Sequence, residues 1–513
     1  MFKTLSQLLS EIPDDKITKK QGDMNTLVTA PIVESSLDVE QGGVFVARRG
    51  LSTDGHKYVQ NAIDTGASAI VGEIPQDDLS VPYVQVTDAQ DVLGLLAAAY
   101  HDFPSRKLVV IGVTGTDGKT TTSHILHSIL KRAEGIKAGF ISTISADFGD
   151  DVADTGLHVT TPGAPQVQAY LARMVDASLT HCILEMTSHG LAQGRLNGVD
   201  IDVAVYTNVM HEHLDFHGSW ENYRDAKALM FRKLAGAYRK PNQPKISVVN
   251  ADDPSADYFG AIPADKVVGY GIHNGAYYHA IDIDYQPNQT KFTVQGIQIE
   301  MQLLGEFNIS NMLAGISVAR EIDVSWEAIQ QGIADVTLIS GRMERIDERQ
   351  DFVAIVDFAH TPNALKRALE AGRTMLPDGK KLICVFGSAG LRDVEKRRMM
   401  AETSAQFADM TILTAEDPRT ESLDDILEMM AQGCVAQGGV EGETFIRVRD
   451  RGEAIYQACQ MAEAGDIVMA CGKGHEQSMC FGVIEHPWDD RDAMRSALRG
   501  QPLATLPTAT GAY

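Results

Sequence analysis

The chain has 513 residues, 44% of them hydrophobic, with 45 Lys+Arg against 69 Asp+Glu. That hydrophobic content excludes wholesale disorder, and the length suffices for about three domains of roughly 150 residues. A formal charge of −24 excludes nucleic acid as the main partner, because an acidic surface repels phosphate backbones, but it leaves room for a local basic pocket around a small anion.

The six cysteines stand at 182, 384, 434, 459, 471 and 480 with no CxxC pair. Neither a zinc site nor a disulfide framework is indicated, and thiols in a reducing cytosol are expected. The start, MFKTLSQLLSEIPDDK, turns acidic too early for a secretory signal, and no run of 18 apolar residues exists. A cytoplasmic chain without a membrane partner is therefore expected.

In chain order, GGVFVARRG and ASAIVGE read as strands with the helical NAIDTGA between them. A break follows at HDFPSRK (101–107). KLVVIGVTG is an apolar run of buried parallel-strand type. It enters a glycine-rich turn and then SHILHSILKRAEG, where Ile125/Ile129 and Leu126/Leu130 repeat at helical spacing, Lys131 and Arg132 fill the last turn, and Gly135 stops it. The last third carries four more apolar runs, FVAIVDFA, KLICVFG, MTILTAE and DIVMACG, separated by helical stretches. The expected fold is α/β in three domains, 1–105, 106–337 and 338–500. The central one has a parallel sheet and a phosphate loop, and the last is Rossmann-like. The tail 501–513, small and polar, is expected to be mobile.

Gly115-Thr116-Asp117-Gly118-Lys119-Thr120-Thr121 contains GxxGKT behind a strand and before a helix. Backbone N–H groups and the helix N-terminus favour phosphate oxygens there, Lys119 adds a point charge, and Thr120 offers a hydroxyl to Mg²⁺. Glu185 ends a strand in LEMTSHGL, where a carboxylate can hold Mg²⁺ near phosphates. His211-Glu212-His213 lacks the HExxH spacing of a zinc protease. Lys227 lies at i+4 from Tyr223, on or beside the buried face marked by Tyr223, Ala226, Met230 and Leu234. A lysine there is costly unless paired or modified, although from spacing alone a snorkelling lysine is the commoner outcome.

The shortened loop G-T-D-G-K-T-T resembles the ATP loop of the Mur ligases and their folylpolyglutamate synthetase relatives. HLDFHG followed by Y-x-x-A-K resembles the Mur ligase segment with a Mg²⁺-binding histidine and a carbamylated lysine. On that resemblance His213 is a metal ligand and Lys227 carries a carbamate formed from CO₂. GEFNISNMLA resembles the segment whose asparagines meet adenine, which implicates Asn308 and Asn311. Gly341-Arg342-Met343-Glu344 resembles G-R-x-E, placing Arg342 on the ATP γ-phosphate. VDFAHTPNAL resembles D-Y-A-H-x-P, with Asp357 on the ribose and His360 near the reacting groups.

Four further segments resemble the members of the family that add the third peptide residue. SSLDVEQGGVFVARRGLSTDGHKYVQNAIDTGASAIVGE resembles their UDP-binding domain, which implicates Ser35. Ser36 stands where the family pattern has arginine. Thr160-Thr161-Pro162 and the run from Thr187 through Gln193 to Arg195 match muramyl-peptide segments. GSAGLRDVEKRRMM, containing Arg392, together with Glu416-Asp417-Pro418-Arg419 and Gly472-Lys473-Gly474-His475-Glu476, sits where the family reads its incoming amino acid. The resemblance implies an ATP- and Mg²⁺-dependent, ADP-forming amide ligase of peptidoglycan biosynthesis. It would be a monomer acting on UDP-MurNAc-L-Ala-D-Glu and a diamino acid through an acyl phosphate. Arg392, Asp417, Arg419, Gly472 and Glu476 would read the diamino acid. The D-N-P-R pattern of diaminopimelate readers is E-D-P-R here. The retained Arg419 favours meso-diaminopimelate, with L-lysine or L-ornithine as alternatives, since Asp417 adds negative charge.

Overall fold

The computed structural model describes residues 2–50, 53–154, 161–210, 212–286 and 289–511. Three separate sheets succeed one another along the chain. The first has five strands in the order Ile17–Gln21, Tyr83–Val86, Ala69–Gly72, Val44–Ala47, Ile32–Val33. The first pair is antiparallel and the rest are parallel. The expected helix between the two strand-like runs is Val59–Thr65.

The second sheet is built on the apolar runs around the phosphate loop. Ala138–Ile141, His181–Glu185, Val109–Thr114, Val203–Tyr206, Ile246–Asn250 and Lys266–Gly271 lie parallel and adjacent in that order. Tyr278–Gln286 extends one edge in parallel, and antiparallel hairpins complete an eleven-stranded sheet. Successive side chains alternate between faces, so Ile111 and Val113 enter one core and Val110 the other. Helices Lys119–Arg132, Glu306–Glu321 and Trp326–Ala334 cover the first face through Ile125, Leu126, Met312 and Ile329. Helices Ala164–Asp176 and Trp220–Gly236 cover the second through Leu171, Met174, Phe231 and Leu234. Both faces must be covered because the central strands are apolar throughout.

The third sheet runs Glu344–Ile346, Val353–Asp357, Ile467–Cys471, Leu382–Phe386, Met410–Leu413, Phe445–Arg447, and all but its first pair are parallel. The four apolar runs of the last third are its four central strands. Ligands of open parallel sheets bind beyond the carboxyl ends of the strands. Here the carboxyl ends of the second and third sheets contribute to one cleft. The tail departs from expectation. Leu506 is buried, Thr508 donates to Asp450 at 2.7 Å, and the segment packs on the third domain because Leu503 and Leu506 have an apolar site to fill.

Beneath the third sheet's ligand end lies a fully buried ion pair. Arg451 Nε and Nη2 donate to the two oxygens of Asp490 at 2.7 and 2.6 Å, and Arg451 Nη2 also donates to the Cys471 carbonyl. Trp488 donates to the same carboxylate. Removing one partner strands a buried charge, so Asp490→Ala should lose about 3–5 kcal/mol of unfolding free energy. Urea titration checks this, and a loss below about 1 kcal/mol would show that the pair is dispensable.

Candidate active site

The phosphate loop is held in shape by the next strand end. Asn208 accepts from the Thr116 and Asp117 N–H groups through its backbone and side-chain oxygens, at 2.8 and 3.0 Å. The Asp117 carbonyl takes the Thr207 hydroxyl and the Asn208 amide. Gly115 and Gly118 have φ of 154° and 86°, and a Cβ there would lie 1.7 Å from Thr207 Oγ1 and 2.2 Å from Asn311 Oδ1. Only glycine fits either position. Lys119 folds its ammonium back onto the Gly115 and Thr116 carbonyls at 3.1 and 2.8 Å, at the rim where phosphates would take over those bonds.

Glu185 is fully buried. One oxygen accepts from the Thr143 N–H and hydroxyl, while Oε1 has no hydrogen-bond partner. Lys227 is buried too, as the helix face suggested. Its Nζ donates to the Gly115 carbonyl at 2.7 Å and lies over the Tyr223 ring. Burial, aided by the charge of Lys119, holds its pKa well below the usual lysine value despite Glu212 and Asp117. His213 has φ 55° and packs edge-on against His189, and burial draws its imidazole down to about 3. It is therefore neutral at physiological pH, the form that binds metals. Among the described residues no group of three or more His, Cys, Asp or Glu side chains is already arranged as a metal cage. The unbonded Glu185 oxygen, the neutral imidazole and a lysine amine whose pKa burial depresses nevertheless suit Mg²⁺ and a carbamate.

Across the cleft stands the third domain. Arg342 Nη2 comes to 3.5 Å from Thr120 Oγ1, with its guanidinium over Phe358 and its Nε buried and unbonded. Asp357 spends its oxygens on the Met343 and Ala359 N–H groups at 2.6 and 2.8 Å, and so shapes this turn while lining the cleft. His360 bonds the Phe358 carbonyl through Nδ1 and points Nε2 at Glu212, 3.5 Å away.

Glu212 is the residue that sequence reasoning missed. Its side chain is only 10% exposed, and its Oε1 has no hydrogen bond. His213 of its own domain, and His360 and Lys396 of the other, approach it at 3.8, 3.5 and 3.9 Å. Burial opposes its ionisation, yet the His360 contact with His213 and Lys396 holds its pKa well below the usual carboxylate value. The signal available was the acidic residue immediately before His213.

A cleft of ≈1290 Å³ joins the phosphate loop, Glu212, His213, Lys227, Arg342, Asp357 and His360, and it is also lined by Thr187, Asn311, Arg392, Asp417, Arg419 and Glu476; Glu185 is not on its surface. Gly472 sits beside Glu416, just outside it. Asn308 does not line the cleft. It donates to the Leu304 carbonyl and accepts from Asn311, one helical turn on, so Asn311 is the asparagine on the cleft surface. Thr161 bonds Thr187 at 3.0 Å, and Arg195 donates to the Thr161 carbonyl and to Gln193. Thr160 lies outside the described residues. Ser35 caps the turn at Leu37, and beside it Glu34 pairs with Arg48. Burial lowers the pKa of Arg195, Glu34 opposes this and Arg48 adds to it, which places the first domain's charges in range of the second's.

A phosphate loop faced by an arginine across a cleft lined with further charged side chains fits an ATP-dependent ligase. Family models for the Mur ligase family catalytic domain, the Mur ligase middle domain and the Mur ligase glutamate ligase domain match residues 34–101, 113–319 and 341–474. The chain is 40% identical to a UDP-N-acetylmuramyl-tripeptide synthetase of Roseiflexus sp., over 91% of this chain and 94% of that one. It is 37% identical to the UDP-N-acetylmuramoyl-L-alanyl-D-glutamate--2,6-diaminopimelate ligase of Geobacillus thermodenitrificans, over 90% and 94%. A solved structure of a ligase of that second name superposes with TM-score 0.65 at 28% identity, covering 97% of this chain and 99% of that one. The chain belongs to the Mur ligase family.

If Glu212 aligns the two halves of the cleft, Glu212→Gln should lower kcat/KM by about tenfold or more while ATP still binds. Steady-state kinetics beside nucleotide titration check this, and unchanged kcat/KM would remove the role. Two buried histidines, His475 of the cleft and His124 of the helix behind the phosphate loop, bear on stability. Burial first, then neighbouring positive groups, draws His124 down to about 4 and His475 to about 2. Both folded values lie below the unfolded value of about 6.5, so the unfolded chain takes up more protons as pH falls. Their stabilising contribution is present above that value and is lost on acidification from there toward pH 4. The urea midpoint should therefore fall between pH 7 and 5, and less steeply in His475→Gln. An equal slope in that variant would contradict the assignment.

Proposed function

We propose that this chain joins meso-diaminopimelate to UDP-MurNAc-L-Ala-D-Glu in peptidoglycan precursor synthesis, consuming ATP and releasing ADP and phosphate. The observation that carries the reading is the meeting of Arg342 with Thr120, which puts a permanent cation opposite the phosphate loop in the cleft that also holds Arg419. The curated relatives named as diaminopimelate ligases support the choice of amino acid.

In this reading Lys119, Thr120 and Arg342 bind the triphosphate, and Asn311 rather than Asn308 faces the nucleotide. Glu185, His213 and a carbamate on Lys227 hold Mg²⁺, which supplies charge neutralisation for phosphoryl transfer when bound. Ser35, Thr160, Thr161, Thr187, Gln193 and Arg195 orient the UDP-linked dipeptide so that its glutamate carboxylate meets the γ-phosphate. The carboxylate attacks phosphorus to give an acyl phosphate and ADP. The α-amine, having lost a proton that His360 can accept, attacks the acyl carbon and expels phosphate. Because the cleft lies between domains, their apposition excludes water from the acyl phosphate. We divide the chain at 105/106 and 337/338. One chain supplies every group named, so it acts as a monomer in the cytoplasm. No helix among the described residues is long and apolar enough to cross a membrane.

Phosphate release from ATP with UDP-MurNAc-L-Ala-D-Glu should require a diamino acid and should favour meso-diaminopimelate over L-lysine and L-ornithine. Lys119→Ala should abolish turnover. Lys227→Ala should lose it and regain part with a short carboxylate such as formate, which can occupy the carbamate's place. Wild-type turnover in Lys227→Ala would rule the carbamate out, and silence with all three amino acids would point to a sister ligase.

A further inference from the structure

The two segments that resemble the family's amino-acid readers spring from strands that do not touch. Glu416-Asp417-Pro418-Arg419 follows Met410–Leu413, and Gly472-Lys473-Gly474-His475-Glu476 follows Ile467–Cys471. Leu382–Phe386 lies between those strands in the sheet, so their ends stand two strand spacings apart, about 10 Å. Pairing between the two strands therefore cannot fix one loop against the other. Arg451 ties them. Its Nη2 donates to the Cys471 carbonyl at 2.8 Å and its Nη1 to the Ala415 carbonyl at 3.3 Å, each the last residue before one loop. Its Nε and Nη2 also hold Asp490, which leaves the planar fork no freedom to swing. Close beside it the loops meet. A Cβ on Gly472 would lie 2.6 Å from Glu416 Oε2 and 4.0 Å from Arg451 Nη2.

Arg451 opens the helix Arg451–Met461, and another segment of chain crosses that helix at its start. Asp450 caps the helix. Its Oδ1 accepts from the Glu453 N–H at 2.9 Å, and its Oδ2 accepts from the Thr508 hydroxyl at 2.7 Å. Gly452 is the second residue of the helix. A Cβ there would meet the Leu503 carbonyl oxygen at 2.1 Å and its carbon at 3.0 Å, and backbone cannot turn aside as the end of a side chain can. Glycine weakens a helix relative to alanine, so its use here marks the place where the crossing segment passes. Leu503 and Leu506 pack on the third domain's core and hold that segment down. Residues 503–508 thus bear on Asp450 and Gly452, the two chain neighbours of Arg451.

We propose that residues 503–508 are a strap that positions the amino-acid pocket: seated on Asp450 and Gly452, they hold Arg451 where its guanidinium ties the two pocket loops together. The inference rests on the reading of those loops as the site of the incoming amino acid. Arg451 and the strap are positioning elements, since Arg451 is fully buried and reaches the substrate only through the backbone of the two loops. A binding site is only as well placed as the buried contacts behind it, and a small displacement of its loops is enough to weaken it. The phosphate loop belongs to the middle domain, away from the strap, so loss of the strap falls first on the amino acid.

Gly452→Ala is the first probe, because alanine favours the helix while driving the strap off it. Thr508→Val removes the hydroxyl donor and keeps the shape, and Arg451→Lys keeps the charge and removes the fork. Two readouts are taken on the full chain. One is amide hydrogen exchange; the other is KM for meso-diaminopimelate, ATP and UDP-MurNAc-L-Ala-D-Glu, measured by phosphate release. In Gly452→Ala, exchange at 415–419 and 472–476 should quicken about tenfold or more relative to the strands of the same sheet. KM for the diamino acid should rise about tenfold, with the other two KM values held within about threefold. Arg451→Lys should do the same, and Thr508→Val should shift both readouts the same way by less. A tail that merely adds stability would lower Tm and leave the relative exchange of the loops and the ratio of KM values where they were. That outcome overturns the inference, and so does a KM for ATP that rises as far as that for the diamino acid. Should Gly452→Ala fail to fold, Thr508→Val, which loses one hydrogen bond, carries the same comparison. Quickened exchange in both loops with an unmoved KM for the diamino acid would uphold the strap's hold on the loops and remove the reading of them as the amino-acid pocket.

Discussion

The approach of Arg342 to Thr120 is the constraint around which the cleft is organised. A guanidinium cannot shed its charge, and this one is enclosed between domains with its Nε unbonded and one face against Phe358. The protein alone does not satisfy it. A phosphate oxygen would, and the loop that cradles phosphate lies directly opposite. For that meeting to occur, two parallel sheets on independent cores must present their carboxyl ends to each other. The topology does this, because the phosphate loop and Glu185 follow strands of one sheet and Asp357, Glu416 and Gly472 follow strands of the other.

The same logic explains where unsatisfied groups collect. Buried polar atoms are nearly always paired in folded proteins. Among the buried side-chain atoms without partners, Asp117 Oδ2, Glu212 Oε1, Arg342 Nε and His475 Nδ1 belong to residues that line the cleft, while others such as Gln168 Oε1, Ser247 Oγ and Arg397 Nε lie away from it. Lys227 adds an amine held far below its ordinary pKa by burial and by Lys119. Each of these costs stability in the free protein, and on the proposed reading each would gain a partner from substrate, metal or carbamate.

What the sequence disclosed divides along the same line. The strands, the phosphate loop and its helix were legible because their signals are local: apolar runs, a glycine turn, i+4 repeats. Lys227 was legible as a lysine on a buried helix face. Arg342, Asp357 and Arg419 entered through resemblance, and the structure brings them to one cleft. Glu212 was passed over because the test applied to it was zinc-ligand spacing, whereas its partners His360 and Lys396 lie in another domain. Asn308 and Asn311 are three residues apart, and helical spacing cannot say which of two neighbours on one face reaches the surface. The tail's polar composition hid Leu503 and Leu506, which dock it. Lys473 was visible only as part of a glycine-rich motif, since its partner Asp417 is 56 residues away.

The overall charge of −24 takes on a different meaning once the cleft is known. Every substrate of the proposed reaction carries anionic groups, so an acidic chain must segregate its cations to bind them. Lys119, Arg342, Arg392 and Arg419 all line the one cleft, while most surface pairs of opposite charge are exposed and contribute little. Segregated cations carry a penalty unless anions are interleaved among them, and Glu212 near Lys396 and Asp417 beside Lys473 are such anions. Their placement tunes the local field, because each cancels a particular cation and leaves another to meet the ligand. Arg342, with its buried Nε unbonded, is left for phosphate. Recognition of an anionic substrate by an acidic protein thus depends less on how many positive groups line the cleft than on which of them remain uncompensated.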